Sequence, residues 1–543
     1  MNPTTRAPVV SYVDATSLQG MLGDKKEMAL LDVREAAAFA VGHLWLATNL
    51  PLSRLELRIR RFIPRAQTRI VLCDDDDGVA ERASATLAKM GYDNLHILRG
   101  GIQAWSRAGY SLIDGNYVIA HSFGSFIEEH YQTPVITADE LIAKLNACED
   151  TVVIDTRAES EHAANSLPNS ISVPAAEVVH RIPDLAPDPT TQVVVHCAGI
   201  TRAALGAQGL LNCAIANPVF SLRDGTRGWV LAGGELANNQ TIARADISPT
   251  AKEFAANAAK QLARRFNLTY FTPEQLIQWR RENPHRTCYL IDVRSGQEYL
   301  DGHYPDAISI PGGELAGMTI DHLATRHARL GLLADADCAR AEITASWMQQ
   351  LGWSDVVIVR DWKNTQPLVA GPEPDYYPEI EQLNVVTISP SELASQLLLG
   401  NMIVIDFSPS EYYRRAHIPD SVWASRSQLS KDFTLPDHIE HIVFTSVSGR
   451  LARLAADDLR QHTNLPIKVL NGGNEAWRTA GLEIETGLKQ HLGYIDDVDQ
   501  NFIETPEMDE ELMHERYRRN IAWRNGLYRQ FKQDQSLRFV MPP

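Results

Sequence analysis

Four times along the chain a short apolar run stops at an aspartate: Ala29-Leu30-Leu31-Asp32, Val152-Val153-Ile154-Asp155, Tyr289-Leu290-Ile291-Asp292 and Ile403-Val404-Ile405-Asp406. Runs this short, rich in branched residues and uninterrupted by polar positions, predict strands buried on both faces, as in parallel sheets. The first three aspartates open an Asp-x-Arg motif with Arg34, Arg157 and Arg294, whereas the fourth has Ser408. An acidic residue follows each run, and three copies place a histidine before the next turn: Glu35 with His43, Glu298 with His303, Glu411 with His417. The second copy keeps Glu159 but has Asn165-Ser166-Leu167-Pro168 at the turn.

About forty residues after each aspartate a second apolar strand is expected, ending at Asp74, Cys197, Asp335 and Ser446, with a loop and a helix behind it. A third strand then runs into a turn closely followed by tryptophan: Trp105, Trp229, Trp362 and Trp477. Strands alternating with helices need crossover connections, and these keep the strands parallel. The fold class expected is therefore α/β, with four tandem domains, each a small parallel sheet with helices on both faces, and a helical C-terminal tail. The boundaries are 1–122, 132–245, 269–372 and 380–490, with a connecting helix at 246–268 and the tail at 491–543.

The connections differ in character. Phe123 to Pro134 reads as a linker, and prolines stiffen Pro372 to Pro378. Thr250 to Phe266 interleaves Lys252, Lys260, Arg264 and Arg265 with apolar residues, an amphipathic helix. In the tail a helix is expected near Glu510 to Phe531, packing on a neighbouring domain or on a second subunit, so a homodimer is compatible with the sequence. Within the chain, the expected pairing is repeat one with two and repeat three with four.

Composition narrows the function classes. The 543 residues carry a net charge of −17, which argues against nucleic acid or an anionic membrane as the main partner. No apolar run is long enough to span a membrane and no secretory leader is visible at Met1 to Arg6, so a cytoplasmic protein is expected. Six cysteines, Cys73, Cys148, Cys197, Cys213, Cys288 and Cys338, show no paired spacing, so neither a disulfide framework nor a metal site is expected.

One cysteine stands apart. Val193-Val194-Val195-His196-Cys197-Ala198-Gly199-Ile200-Thr201-Arg202 takes a strand into a tight turn, and Ala203 to Leu211 continues as a helix. A thiol placed there faces unpaired N–H groups and the charge of Arg202, both of which favour the thiolate, the reactive form. Cys197 is accordingly the candidate nucleophile. Ala198, Gly199, Ile200, Thr201 and Arg202 form its loop. Arg181, Arg223 and Arg227 are further candidates for holding an anion, with Arg202 first and Arg181 next.

These motifs resemble the rhodanese superfamily of sulfurtransferases, in particular bacterial proteins with four tandem rhodanese-like domains. The specific parts are His196 to Arg202, the repeated Asp-x-Arg, and Leu222-Arg223-Asp224-Gly225 with Trp229. The resemblance implies that Cys197 accepts a sulfane sulfur from thiosulfate or a related donor and passes it to a thiol or cyanide-like acceptor, without metal or organic cofactor. Relatives tend to carry a second basic residue where this loop has Ile200, so a weaker preference for dianionic thiosulfate is expected. Two other classes compete: a catalytically weak scaffold or sulfur sensor, and a cysteine-dependent phosphatase. Four residues separate Cys197 from Arg202, a loop too short to ring a phosphate.

The remaining candidates have plainer readings. Asp74, Asp335 and Ser446 cannot hold sulfane sulfur, so repeats one, three and four should be inert. Cys73 is one residue early and should face the core, Cys213 is read as structural, and Cys338 lies inside the third loop. Asp74 to Asp77 is read as a solvated loop, Asp155 with Arg157 and Glu159 as an ion-pair network beneath the site, and the four tryptophans as core or turn anchors.

Overall fold

The sheet of the second repeat runs Val135–Ile136, Val219–Leu222, Gln192–His196, Thr151–Asp155, Ile171–Ser172, every neighbour parallel. The third repeats this order with Thr269–Phe271, Val356–Val359, Arg329–Leu333, Cys288–Asp292 and Ile308–Ser309. The first and fourth sheets follow the same path and each gains one strand. These features come from a computed structural model, which describes residues 10–238, 246–334, 339–429, 438–460, 463, 465–499, 508–534 and 538–541.

Register explains why the aspartate and the candidate nucleophile keep a fixed spacing. Asp32, Asp155, Asp292 and Asp406 stand opposite Cys73, His196, Leu333 and Thr445 on the adjacent strand. The residue after each partner is Asp74, Cys197, Ala334 and Ser446. The third repeat thus departs from the sequence reading. Its nucleophile position holds Ala334, and Asp335 and Cys338 lie outside the described residues.

Each Asp-x-Arg motif is a buried clamp. Arg34 and Arg294 pair with Asp32 and Asp292 at 2.6 Å and donate onward to Gly42 O at 2.7 Å and Gly302 O at 2.8 Å. Arg157 does the same with Asp155 at 2.8 Å and with Asn165 O. A guanidinium makes several directed bonds at once, so it pins the strand end to the following turn. In the fourth repeat Asn474 Nδ2 takes over, donating to Asp406 at 2.6 Å and to Ser408 Oγ at 3.0 Å. The histidines of repeats one, three and four stack on Phe39, Tyr299 and Tyr413 with ring centroids 3.7, 3.7 and 3.8 Å apart. Trp105, Trp229 and Trp477 donate to Ser111 O, Glu235 O and Glu483 O, anchoring turns, while Trp362 donates to Ala334 O.

The connections are more ordered than the sequence suggests. Most of the span read as a first linker, Phe123 to Pro134, belongs to the helix Val118–Tyr131, which buries Phe123, Phe126 and Ile127 in the largest core cluster. The connecting helix is Pro249–Arg265, capped by Ser248, whose side chain accepts from Ala251 N. The proline-rich linker is fastened to repeat one: Arg61 pairs with Glu373 at 2.8 Å and Arg60 with Glu379 at 2.9 Å. Residues assigned to the tail begin with a strand, His491–Leu492, that extends the fourth sheet. The tail helix, Glu510–Gln533, packs against Val118–Tyr131 and Gly225–Leu231 of the same chain.

Pairing between repeats also differs from expectation. Repeat two pairs with three: Gly312 and Gly313 abut Ala176 and Ala175 so closely that a β-carbon on either glycine would come within 3.0 Å of them. Repeat one pairs with four: Arg426 donates to both oxygens of Glu56 at 2.9 Å, and Arg54 pairs with Asp497 at 3.1 Å. The edges in contact are the same element in every repeat, the short turn after the outer strand. In repeats two and three small residues there let the backbones approach. Repeat three also reaches repeat one, where Thr325–Arg326 pairs antiparallel with Met28–Asp32.

Candidate active site

The strand Gln192–His196 hands over to the helix Thr201–Asn212 through Cys197 and the loop at 198–200. Three constraints hold this corner. Thr156 donates to His196 O from its N–H at 2.9 Å and from its hydroxyl at 2.8 Å. Thr226 N–H donates to Cys197 O at 2.9 Å. Thr201 Oγ1 donates to Ala120 O at 3.0 Å, tying the helix start to the helix between repeats one and two. Gly225, at φ +53, closes the turn because a β-carbon there would stand 2.0 Å from Cys197 O.

Cys197 lies inside this corner, 3% exposed, and Gly199 N–H donates to its Sγ at 3.3 Å. A backbone donor aimed at the sulfur favours negative charge on it. Repeats one and four fill the same cradle with other acceptors. Asp74 accepts from Asp76 N at 3.0 Å and Ala80 N at 2.9 Å, and Ser446 Oγ accepts from Ala452 N at 3.3 Å. The cradle thus recurs in the three repeats whose loops are described, and among these the second puts a sulfur in it.

Beneath the loop the Asp155 carboxylate gathers Arg157, His162 Nδ1 at 3.2 Å and Ser166 Oγ at 2.6 Å. Burial would raise this carboxyl, but His196, His162 and Arg157 hold it well below the usual range. His196, fully buried, is pushed down to about 4 by burial, against the opposing charge of Asp155.

The arginines are not placed as the sequence suggests. Arg202 faces carboxylates: its Nη1 meets Glu161 at 2.5 Å and Glu314 of repeat three at 3.5 Å, and its Nη2 meets Glu161 at 3.0 Å. Glu161 is thus an acidic partner at the loop. Arg181 lies on the helix Val178–Leu185 and lines neither of the two cavities beside the loop. Arg227 lines a cleft of about 230 Å³ together with Ala198, Thr226 and Tyr517. Arg223 lines a larger one of about 490 Å³ with Ile200, Asp224 and Arg524.

Sequence reasoning missed the tail's share of the site. Arg524 is 2% exposed and pairs with Asp224. A β-carbon built on Gly199 would stand 3.1 Å from Arg524 Nη1. Arg227 donates to Asn520 Oδ1 at 3.3 Å and lies over the Tyr517 ring. Burial, then the charges of Arg524, Arg227 and Arg202, push the nearby His121 down to about 3. The only sequence signal was the run of arginines and aromatic residues in the tail helix, which nothing linked to the loop.

The other cysteines are elsewhere. Cys73 is fully buried with its thiol pushed well up by burial, and Cys213 is pushed up to about 12 for the same reason. Cys148 is exposed and Cys288 half-buried. Among the described residues no cluster of three potential metal ligands occurs, and no helix is long and apolar enough to cross a membrane.

Comparison with known proteins agrees with this architecture. A thiosulfate sulfurtransferase of Pseudomonas aeruginosa superposes over 98% of this chain and all of its own, with TM-score 0.91 and 36% identity. A sulfurtransferase of Allochromatium vinosum is 31% identical over 105 residues, 19% of this chain and 96% of its own. An uncharacterized Bacillus subtilis protein is 34% identical over 103 residues, 18% of this chain and 80% of its own. The rhodanese-like domain matches residues 14–108, 137–232 and 389–480, and the third repeat, outside those spans, has the same strand order. With a repeated parallel sheet and a cysteine cradled at one strand end, the chain belongs to the rhodanese-like family.

Proposed function

We propose that the protein is a sulfurtransferase with one working site, in which Cys197 carries a sulfane sulfur between a donor such as thiosulfate and a thiol or cyanide-like acceptor. The observation that carries this reading is the Gly199 N–H directed at Cys197 Sγ at the strand-to-helix corner. In the first half-reaction the Cys197 thiolate attacks the outer sulfur of thiosulfate. The S–S bond of the donor breaks, sulfite leaves with the electron pair, and a persulfide anion remains on Cys197. In the second, the acceptor attacks the terminal sulfur and the Cys197 thiolate departs. No net oxidation is needed, and each leaving group is a stabilised anion. Fixed N–H donors stabilise the persulfide charge without reorganising.

A phosphatase would need its loop arginine on the phosphate, and Arg202 is instead held by Glu161 and Glu314. Repeats one, three and four, with Asp74, Ala334 and Ser446 in place of the nucleophile, serve as scaffold. Mass spectrometry of the protein incubated with thiosulfate tests the reading. One added sulfur atom on the peptide containing Cys197, lost on treatment with cyanide and absent from Cys197→Ser, is the expected result. Equal thiosulfate-to-cyanide transfer by the wild type and Cys197→Ser would overturn it.

A further inference from the structure

The loop around Cys197 contains one cation, Arg202, and two glutamates occupy it. A donor with an anionic head needs another. Arg524 fits that need. Its guanidinium is buried, Nη2 pairs with Asp224, and among the described residues neither Nε nor Nη1 has a hydrogen-bond partner. Leaving two charged donors unsatisfied inside a protein is costly unless something else takes them. Nη1 is aimed at Gly199, the residue whose N–H marks the sulfur's cradle.

Asp224 supplies an independent argument. It begins the helix Gly225–Leu231 in the left-handed region, at φ +62, where repeats one and four have Gly100 at φ +73 and Gly472 at φ +72. A non-glycine residue there carries a conformational cost. In the second repeat the aspartate side chain orients Arg524, and among the matching positions this is the one beside a cysteine loop. Asp361 of the third repeat has the same conformation, so aspartate is tolerated there.

We propose that Arg524, delivered by the C-terminal helix, binds the oxyanion head of the sulfur donor and so supplies the positive charge that Ile200 leaves out of the loop. The proposal rests on the reading of Cys197 as the sulfur carrier. Arg524 Nη1 and Nε donate to the oxygens of a sulfonate or carboxylate group while the outer sulfur faces Cys197. Asp224 holds the guanidinium in that orientation and limits its net charge, so the product anion is released. Arg227, beside Asn520 and Tyr517, borders the smaller cleft on the other side of the loop.

The experiment compares the full-length wild type with Arg524→Gln and Arg524→Lys in thiosulfate-to-cyanide transfer, with 3-mercaptopyruvate as the carboxylate arm. Alkylation of Cys197 by uncharged iodoacetamide reports the thiol itself. Arg524→Gln is expected to raise the thiosulfate KM tenfold or more, with alkylation within about threefold of wild type and partial recovery in Arg524→Lys. A matching effect with 3-mercaptopyruvate assigns the site to oxyanions in general, and an effect with thiosulfate alone assigns it to sulfonates. An unchanged thiosulfate KM in Arg524→Gln, with sulfur still loading on Cys197, overturns this inference and leaves the sulfurtransferase reading standing. Wild type that loads no sulfur from either donor overturns both.

Discussion

Arg202 and Arg340 are counterparts across the contact between repeats two and three. Each is the second residue of the helix that follows its loop, each is gripped by a glutamate of its own repeat, and each reaches a glutamate of the other. Arg202 holds Glu161 and approaches Glu314 at 3.5 Å; Arg340 holds Glu298 at 2.7 Å and approaches Glu177 at 3.4 Å. Since repeat three has Ala334 in place of the nucleophile, the arrangement does not depend on catalysis. It belongs to the interface.

Arg202→Met and Arg340→Met are therefore expected to destabilise by similar amounts. Each leaves acidic partners uncompensated at the contact. The cost should be about 1–3 kcal/mol, less than for a fully buried pair because Glu161 and Glu298 are 39% and 37% exposed. Urea unfolding measures it. In transfer assays Arg202→Met should raise the thiosulfate KM less than Arg524→Gln does.

Gly225→Ala should damage both stability and turnover. The added methyl would collide with Cys197 O at 2.0 Å, and the left-handed backbone there disfavours alanine. The matching change in repeat four, Gly473→Ala, meets Ser446 O at 2.1 Å. Both should cost more than about 2 kcal/mol. Only the first should abolish sulfur loading, which separates the geometry of the loop from the stability of the fold.

Between repeats one and four, burial and then the nearby Asp496 raise the Glu35 carboxyl to about 7. From about pH 4.5, where the unfolded chain ionises this group, up to about 7, the folded protein binds more protons than the unfolded one, so its stability falls as pH rises. Glu35→Gln removes that slope. The variant should gain about 2–3 kcal/mol on the wild type between pH 5 and pH 8, read from denaturant midpoints at the two pH values.

Leu527 anchors the tail helix and is fully buried in the largest core cluster, together with Phe531. Leu527→Ala should cost about 2–5 kcal/mol. If the helix loosens, Arg524 loses its position, so the thiosulfate KM should rise as well. Proteolysis of the tail before the repeats would show the same loosening directly.

Much of this was written in local pattern. The strands, the four-fold repetition, Cys197 and the tail helix follow from apolar runs and a loop, since buried parallel strands and amphipathic helices leave periodic marks. Three features did not show. The one-residue offset that puts Ala334 at the third nucleophile position depends on strand register, which spacing alone does not fix. The pairing of repeat two with three depends on small residues at Ala175, Ala176, Gly312 and Gly313, which carry no motif. The partners of Arg202 and Arg524 did not show because guanidiniums find partners in space, and Glu314 and Asp224 lie far from them in sequence.

The short strand Thr325–Arg326 has a consequence for how this molecule is handled. It lies along the first half of Met28–Asp32, pairing with Ala29 and Met28, where Thr48–Asn49 covers only the second half. Cutting the gene at the apparent seams between repeats would uncover that margin, leaving free amide and carbonyl groups on a hydrophobic strand ready to join another chain. An excised first repeat should therefore aggregate where the whole chain does not, which size-exclusion chromatography of the two would show.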